Sequence, residues 1–457
     1  MTDDISRRWE SDVLPSLAEL VAIPAVSPAY DPDWATGGHL AAAARHLREW
    51  LSTAGLTSEI LQIEGRTPLV WAEKPGTAAG TVVFYGHLDK QPPLGDWSPG
   101  LGPWQPVIRD GRLFGRGSAD DGYAGYAAVT ALAAVPRHAR AVLLLETGEE
   151  SGSPDLPAYL DLLSDRLGDV SLVVCLDSVG LDYERLWLTT SLRGAVQATV
   201  TVRVLDAPLH SGMASGIVPS SFRVLRQLLD RVEDSATGLV TIDEMTVPIP
   251  AARRAEAQAL ARLHPGVGTS FPFAGSTRRV TSDDVELLLN NTWRPALSVI
   301  GASGLPDPSV AGAVLRTETT VRLSFRTPPG VDAKVASRAL TEILTTDVPY
   351  GAVVEVSDLM LIDGWDAPAP APWLTRALER IGAQVFGKPC AAVGVGGGIP
   401  FLSLLARRYP SAQFVVTGAA GPDSNMHGRD ESLNLAQARR VTESIALLLS
   451  EHAGAQG

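Results

Sequence analysis

Cysteine is scarce in this 457-residue chain, which carries Cys175 and Cys390 alone. Two thiols make no disulfide framework. Cys175, inside Leu172-Val173-Val174-Cys175-Leu176, reads as a buried, inert thiol. No apolar run approaches the roughly 20 residues that a membrane helix needs, so no membrane partner is expected. Basic runs are missing too. Lys and Arg number 38 against 51 Asp and Glu, a net charge of −13. An acidic chain without a cationic patch is poorly matched to a phosphate backbone, which argues against a nucleic-acid partner. The opening stretch from Met1 to Arg8 lacks the charged-then-apolar order of a signal peptide, so the chain reads as cytoplasmic.

What is present describes a globular protein of about two or three domains, with 45% hydrophobic and 19% charged residues. Helical periodicity runs from Ile5 to Ala54 around a Pro/Asp loop (Pro28 to Asp33). Short apolar runs then alternate with helices: Leu69 to Trp71, Thr81 to Tyr85, Ala141 to Leu145 and Leu172 to Leu176. That alternation predicts an α/β fold, a mostly parallel sheet flanked by helices. Between them, Asp110-Gly111 inside Val107 to Phe114 predicts a two-residue hairpin.

Near residue 190 the texture changes. Gln197 to Val204 alternates as a half-exposed strand should, and a strand–helix–strand–strand–helix–strand order follows. The order predicts an inserted α+β, ferredoxin-like unit. A Pro/Ala linker, Ala367 to Pro372, marks the return to the first domain. The expected division is 1–190, 191–364 and 365–457, the middle segment being the insertion.

Ligands of open α/β sheets bind beyond the carboxyl ends of the strands. His87, Asp120, the pair Glu149 and Glu150, Asp177 and His427 all fall at such places. Each has an ordinary reading: a helix cap for Asp120, a solvated first turn for the glutamates, loop polarity for Asp177 and His427. Together, two histidines and three carboxylates suit two divalent ions with one carboxylate between them. Two such ions support amide hydrolysis, which also needs a general base that is not a ligand.

Five strings in this order and spacing, GHLDKQP, GRGSADD, ETGEESGS, CLDS and the histidine of GPDSNMHG, resemble those of the aminoacylase–carnosinase–carboxypeptidase family of two-metal exopeptidases, over nearly the whole chain. The resemblance implies that His87, Asp120 and Asp177 hold one ion and that Asp120, Glu150 and His427 hold the other. It implies Zn as the metal, with Mn or Co as alternatives. Glu149 would be the general base and Asp89 the support for the His87 ring. A cis peptide is implied between Asp120 and Asp121.

In the inserted segment, Leu209-His210-Ser211-Gly212 resembles a lid whose histidine serves the partner subunit's site in a homodimer. Arg326 matches an arginine that grips the substrate carboxylate. The glycine turn departs from the family's Glu-Gly-Gly-Ser-Ile-Pro, reading Val395-Gly396-Gly397-Gly398-Ile399-Pro400. Substrate contacts there fall to backbone donors at Gly397 and Gly398. Asp120-Asp121-Gly122-Tyr123 likewise lacks the family's lysine.

The expected activity is cleavage of an amide bond next to a free carboxylate, by a dipeptidase or small-peptide carboxypeptidase. The alternatives are an N-acyl-amino-acid deacylase and a non-catalytic binding protein of the same fold. A nucleotide loop at Gly394 to Gly398 is disfavoured, because the Lys-Ser/Thr end of a P-loop is missing.

Overall fold

The computed structural model describes residues 1–455, which form two compact units. The first comprises Met1–Thr190, Ala367–Val393 and Leu404–Gly457; the second comprises Ser191–Asp366 and Gly394–Ser403.

The first unit is built on a six-stranded sheet, in the order Thr57–Leu61, Leu69–Lys74, Ala139–Glu146, Ala78–His87, Val170–Cys175, Gln413–Val416. The last four strands run parallel, and the first two are antiparallel additions at one edge. Ala78–His87 is central, and its apolar run is buried on both faces. Val82 and Phe84 join the core formed with the helices His39–Thr53, Ala124–Ala133 and Leu435–Ala455. Asp110 and Gly111 both take left-handed backbone angles (φ 51° and 73°), as the two-residue hairpin requires.

One boundary differs from the sequence, in which the small residues from Gly122 to Val135 predict a helix over that stretch. The small-residue helix starts at Ala124, not at Gly122, and Tyr123 occupies its cap position without a side-chain cap bond. Asp120 therefore stands in the preceding turn and is not the helix cap. The turn is closed instead by a backbone bond from Gly122 to the Gly117 carbonyl (3.1 Å).

The second unit contains a four-stranded antiparallel sheet, ordered Ala296–Ser303, Glu318–Thr327, Gly194–Arg203, Val353–Ile362. Helices Ser221–Leu229 and Ala333–Thr345 complete the strand–helix–strand–strand–helix–strand order read from the sequence. Asp332 starts the second helix by accepting the N–H groups of Lys334 and Val335 at 2.8 and 3.0 Å. Val224, Leu225 and Leu228 bury one stripe of the first helix against Val196, Val200 and Phe325, each worth ~1.5–3 kcal/mol. Among the described residues, no helix is long and apolar enough to cross a membrane.

Candidate metal centre

The strand Ala78–His87 delivers His87 at its carboxyl end, with its ring fully buried. Its neighbours Ala139–Glu146 and Val170–Cys175 end just before Glu149, Glu150 and Asp177. These side chains converge. His87 Nε2 stands 3.2 Å from Asp120 Oδ1 and 3.9 Å from Asp177 Oδ2. His427 Nε2 stands 2.9 Å from Asp120 Oδ2 and 3.3 Å from Glu150 Oε2. The two oxygens of Asp120 thus face different histidines.

Ligand atoms of two groups lie within 4.8 Å of one another: His87, Glu149 and Asp177 in one, His87, Asp120 and Glu150 in the other. The donor set is all imidazole and carboxylate, which suits divalent Zn, Mn or Co.

The charge balance of the cluster is lopsided. Burial pushes the carboxyl of Asp177 up to about 7, with the His87 charge opposing and the Asp120 charge adding. Burial, with Asp120 next, takes Glu150 up to about 8, and burial and Asp177 raise Glu149 well above the usual range. Asp120 moves the other way: burial is outweighed by hydrogen bonds from His427 and His87 that hold it well below the usual range. His427, bonded to Asp120, is raised to about 9. Burial opposes a charged His87, yet its bonds to Asp120 and Asp89 lift it well above its ordinary value. Buried carboxylates crowded in this way are stabilised by positive charge among them, which divalent cations would supply.

Asp89 supports the cluster by a route its position alone does not reveal. His87 Nδ1 lies 3.0 Å from the Asp89 backbone carbonyl and 3.5 Å from the carboxylate. The carboxylate instead accepts the N–H of Glu149 on Oδ1 (3.1 Å), and on Oδ2 the N–H of Glu150 (3.0 Å) and the Ser27 hydroxyl (2.7 Å). Gln91 Nε2 donates to Glu150 Oε2 at 2.7 Å.

A second support was not singled out in the sequence. Glu431 is fully buried, and its Oε1 accepts the N–H groups of Gly117, Ala119 and Asp120 at 3.0, 3.2 and 3.3 Å. Its Oε2 pairs with Arg116 Nη1 (2.7 Å), and Arg116 Nη2 donates to the Gly428 carbonyl (2.6 Å). This pair ties the Asp120 turn to the loop that carries His427. That loop holds Asp423, Asn425, His427 and Asp430 at positive φ, strain of the kind found where function demands a fixed side chain. The Asp120–Asp121 peptide is cis, as the resemblance implies.

His210, Arg326, Gly397 and Gly398 belong to the second unit. His210 is exposed, and its Nδ1 accepts the Gly212 N–H (3.1 Å). A Cβ on Gly398 would stand 2.7 Å from the Arg193 carbonyl oxygen, whereas one on Gly397 would meet nothing within 4 Å. The serine usual at position 398 in the family has no room on this backbone.

Residues 83–451 match the description Peptidase family M20/M25/M40. The chain belongs to this family. It is a metal-dependent hydrolase, and its fold and its ordered motifs are those of M20 peptidases. Among curated M20 relatives, the cysteinylglycine-S-conjugate dipeptidase of Corynebacterium striatum is 26% identical over 411 residues, covering 85% of this chain and 84% of that one. The Beta-Ala-His dipeptidase of Mus musculus is 26% identical over 408 residues, covering 84% and 79%. Among solved structures, the M20 family metallo-carboxypeptidase Sso-CP2 of Sulfolobus solfataricus has the same fold, with a TM-score of 0.81 at 19% identity over 96% of this chain and 99% of that one. Human carnosine dipeptidase 1 does too, with a TM-score of 0.77 at 23% identity over 99% and 98%.

Proposed function

We propose that this M20 hydrolase is a dipeptidase that uses two divalent ions, with Zn in both positions. The observation that carries the reading is the Asp120 carboxylate, one oxygen toward His87 and the other toward His427. His87, Asp120 and Asp177 would hold one ion, and Asp120, Glu150 and His427 the other. Ions bound there supply a Lewis acid for the scissile carbonyl and lower the pKa of water.

The protein's own residues do the rest. Glu149 takes a proton from the attacking water and returns it to the leaving amine. Its main-chain N–H is pinned to Asp89, which fixes where that carboxylate can act. Arg326 binds the free carboxylate of the substrate, and backbone donors at Gly397 and Gly398 serve its other polar atoms. The segment 191–364 acts as a lid and dimerisation domain, and His210 stabilises the oxyanion in the partner subunit's site.

Dipeptide substrates are supported by the names of the curated relatives, which are dipeptidases along most of this chain's length. The test is metal analysis of the purified protein followed by a panel of dipeptides and matched N-acyl amino acids. Hydrolysis confined to the acylated compounds would replace the dipeptidase reading with the deacylase one.

A further inference from the structure

The sheet of the second unit has a core face and an outward face. Val196, Ala198 and Val200, with Leu323 and Phe325, point into the core. Strand alternation puts Ala195, Gln197 and Thr199 on the other face, opposite Arg326, Ser324 and Arg322 in the antiparallel register. Arg193 lies two residues before Ala195 and so falls on the face of Arg326, diagonal to it.

These two arginines differ from others in the unit. Arg322 is engaged with Gln197 Oε1 (3.3 Å) and Thr199 Oγ1 (3.2 Å), and Arg294 is paired with Glu286 (2.6 Å). The Arg326 side chain makes no hydrogen bond or ion pair among the described residues. Arg193 is only 7% exposed, yet its partners are two backbone carbonyls at long range, Gly396 (3.3 Å) and Asn290 (3.4 Å). No strand residue paired with Ala195, Gln197 or Thr199 is acidic. In the register, Glu355 stands opposite Thr201, six residues beyond Ala195, or roughly 20 Å along the strand.

Burial, and then the charge of Arg326, draw the Arg193 pKa down to about 10. Two cations held together without an anion are unfavourable unless a ligand supplies one. Gly396 packs tightly against Arg193. A Cβ placed on Gly396 would stand 3.0 Å from Arg193 Nη2 and 3.0 Å from Asn291 Oδ1.

We propose that Arg193 and Arg326 form one anion subsite for two acidic groups, so that dipeptides ending in aspartate or glutamate are preferred over those with a neutral C-terminal residue. The inference rests on the dipeptidase reading and adds the substrate class. Arg326 takes the main-chain carboxylate, and Arg193 takes the side-chain carboxylate. Arg193 is here a specificity residue, not a catalytic one.

The test compares kcat/KM for dipeptides ending in Glu with the same dipeptides ending in Gln, which differ in charge and hardly in shape. Wild type is expected to favour Glu by roughly tenfold or more. Arg193→Met should remove most of that ratio, and Arg193→Lys should keep part of it. A wild-type ratio of one or less overturns the proposal, as does a folded Arg193→Met protein that keeps the full ratio. If Arg193→Met does not fold, the wild-type ratio decides alone. If no dipeptide is cleaved, the dipeptidase reading has failed. The subsite is then judged by thermal protection of the wild-type protein with glutarate against butyrate. Greater protection by glutarate supports it, and equal protection refutes it.

Discussion

Asp89 receives the backbone N–H groups of Glu149 and Glu150 on its two carboxylate oxygens, at 3.1 and 3.0 Å. One side chain from the loop after the central strand thereby sets the position of two glutamates sixty residues away. An amide cannot do this, because its NH2 would face a second N–H. Asp89→Asn is therefore expected to weaken metal affinity by roughly 10–100-fold. Competition with a chromogenic chelator measures it, and an unchanged affinity would show that the glutamates hold their places without Asp89.

Glu149 offers a different outcome. Glu149→Gln should bind metal in near-normal stoichiometry while losing roughly 10²-fold or more in kcat. Elemental analysis and turnover on one preparation separate the two effects. Appreciable remaining turnover would remove Glu149 as the base. Mixing this variant with His210→Ala should restore activity in mixed dimers if His210 acts across the interface, and proven heterodimers without rescue would count against that role.

Part of this candidate site is legible in the chain because several of its residues follow a local pattern: an apolar strand, then a histidine or an acid. His87, Glu150 and Asp177 were legible for that reason. Glu431 was not. In sequence it is one more charge in Arg429-Asp430-Glu431, and only the fold brings it to amides more than three hundred residues earlier. The start of the helix before Val135 is hidden for another reason: Gly122 and Tyr123 share its composition, but the Gly122 N–H closes the preceding turn on the Gly117 carbonyl.

The buried Arg116–Glu431 pair should be costly to break. Glu431→Gln leaves an unpaired buried guanidinium and is expected to destabilise the protein by about 3–5 kcal/mol. Replacing both partners with Met and Gln should cost less than the sum of the single changes. Urea unfolding of the three variants checks this, and strict additivity would show that the two side chains act independently.

The glycine turn supplies a paired comparison. Gly398→Ser must push its Cβ into the Arg193 carbonyl, whereas Gly397→Ser enters open space. The first should lower the melting temperature by several degrees, given overpacking costs of about 1–3 kcal/mol. The second should change it little. Equal melting temperatures would mean the turn relaxes freely.

His452 sets a pH dependence away from the metal centre. It is buried against Trp373, with Ser171 Oγ 3.0 Å from its Nε2, and burial lowers its pKa from 6.5 to about 4. The unfolded chain takes up this proton near pH 6.5 and the folded one only near pH 4. Its contribution to stability is thus present above pH 6.5 and is lost as the pH falls toward 4, by up to roughly 1.4 kcal/mol per pH unit. Urea unfolding from pH 7 to 4 should show a shallower decline for His452→Gln than for wild type. Parallel declines would exclude His452 as the cause.

The second unit interrupts the first between Asp177 and His427, so the candidate ligands are made in two instalments during synthesis. His87, Asp120, Glu150 and Asp177 leave the ribosome early, but the strand Gln413–Val416 and the His427 loop come only after the whole insertion. A nascent chain can therefore present four of the five candidate ligands, including the full set proposed for one ion, before the insertion is made. The order of synthesis itself withholds His427, and with it the second proposed ion position, until the polypeptide is nearly finished.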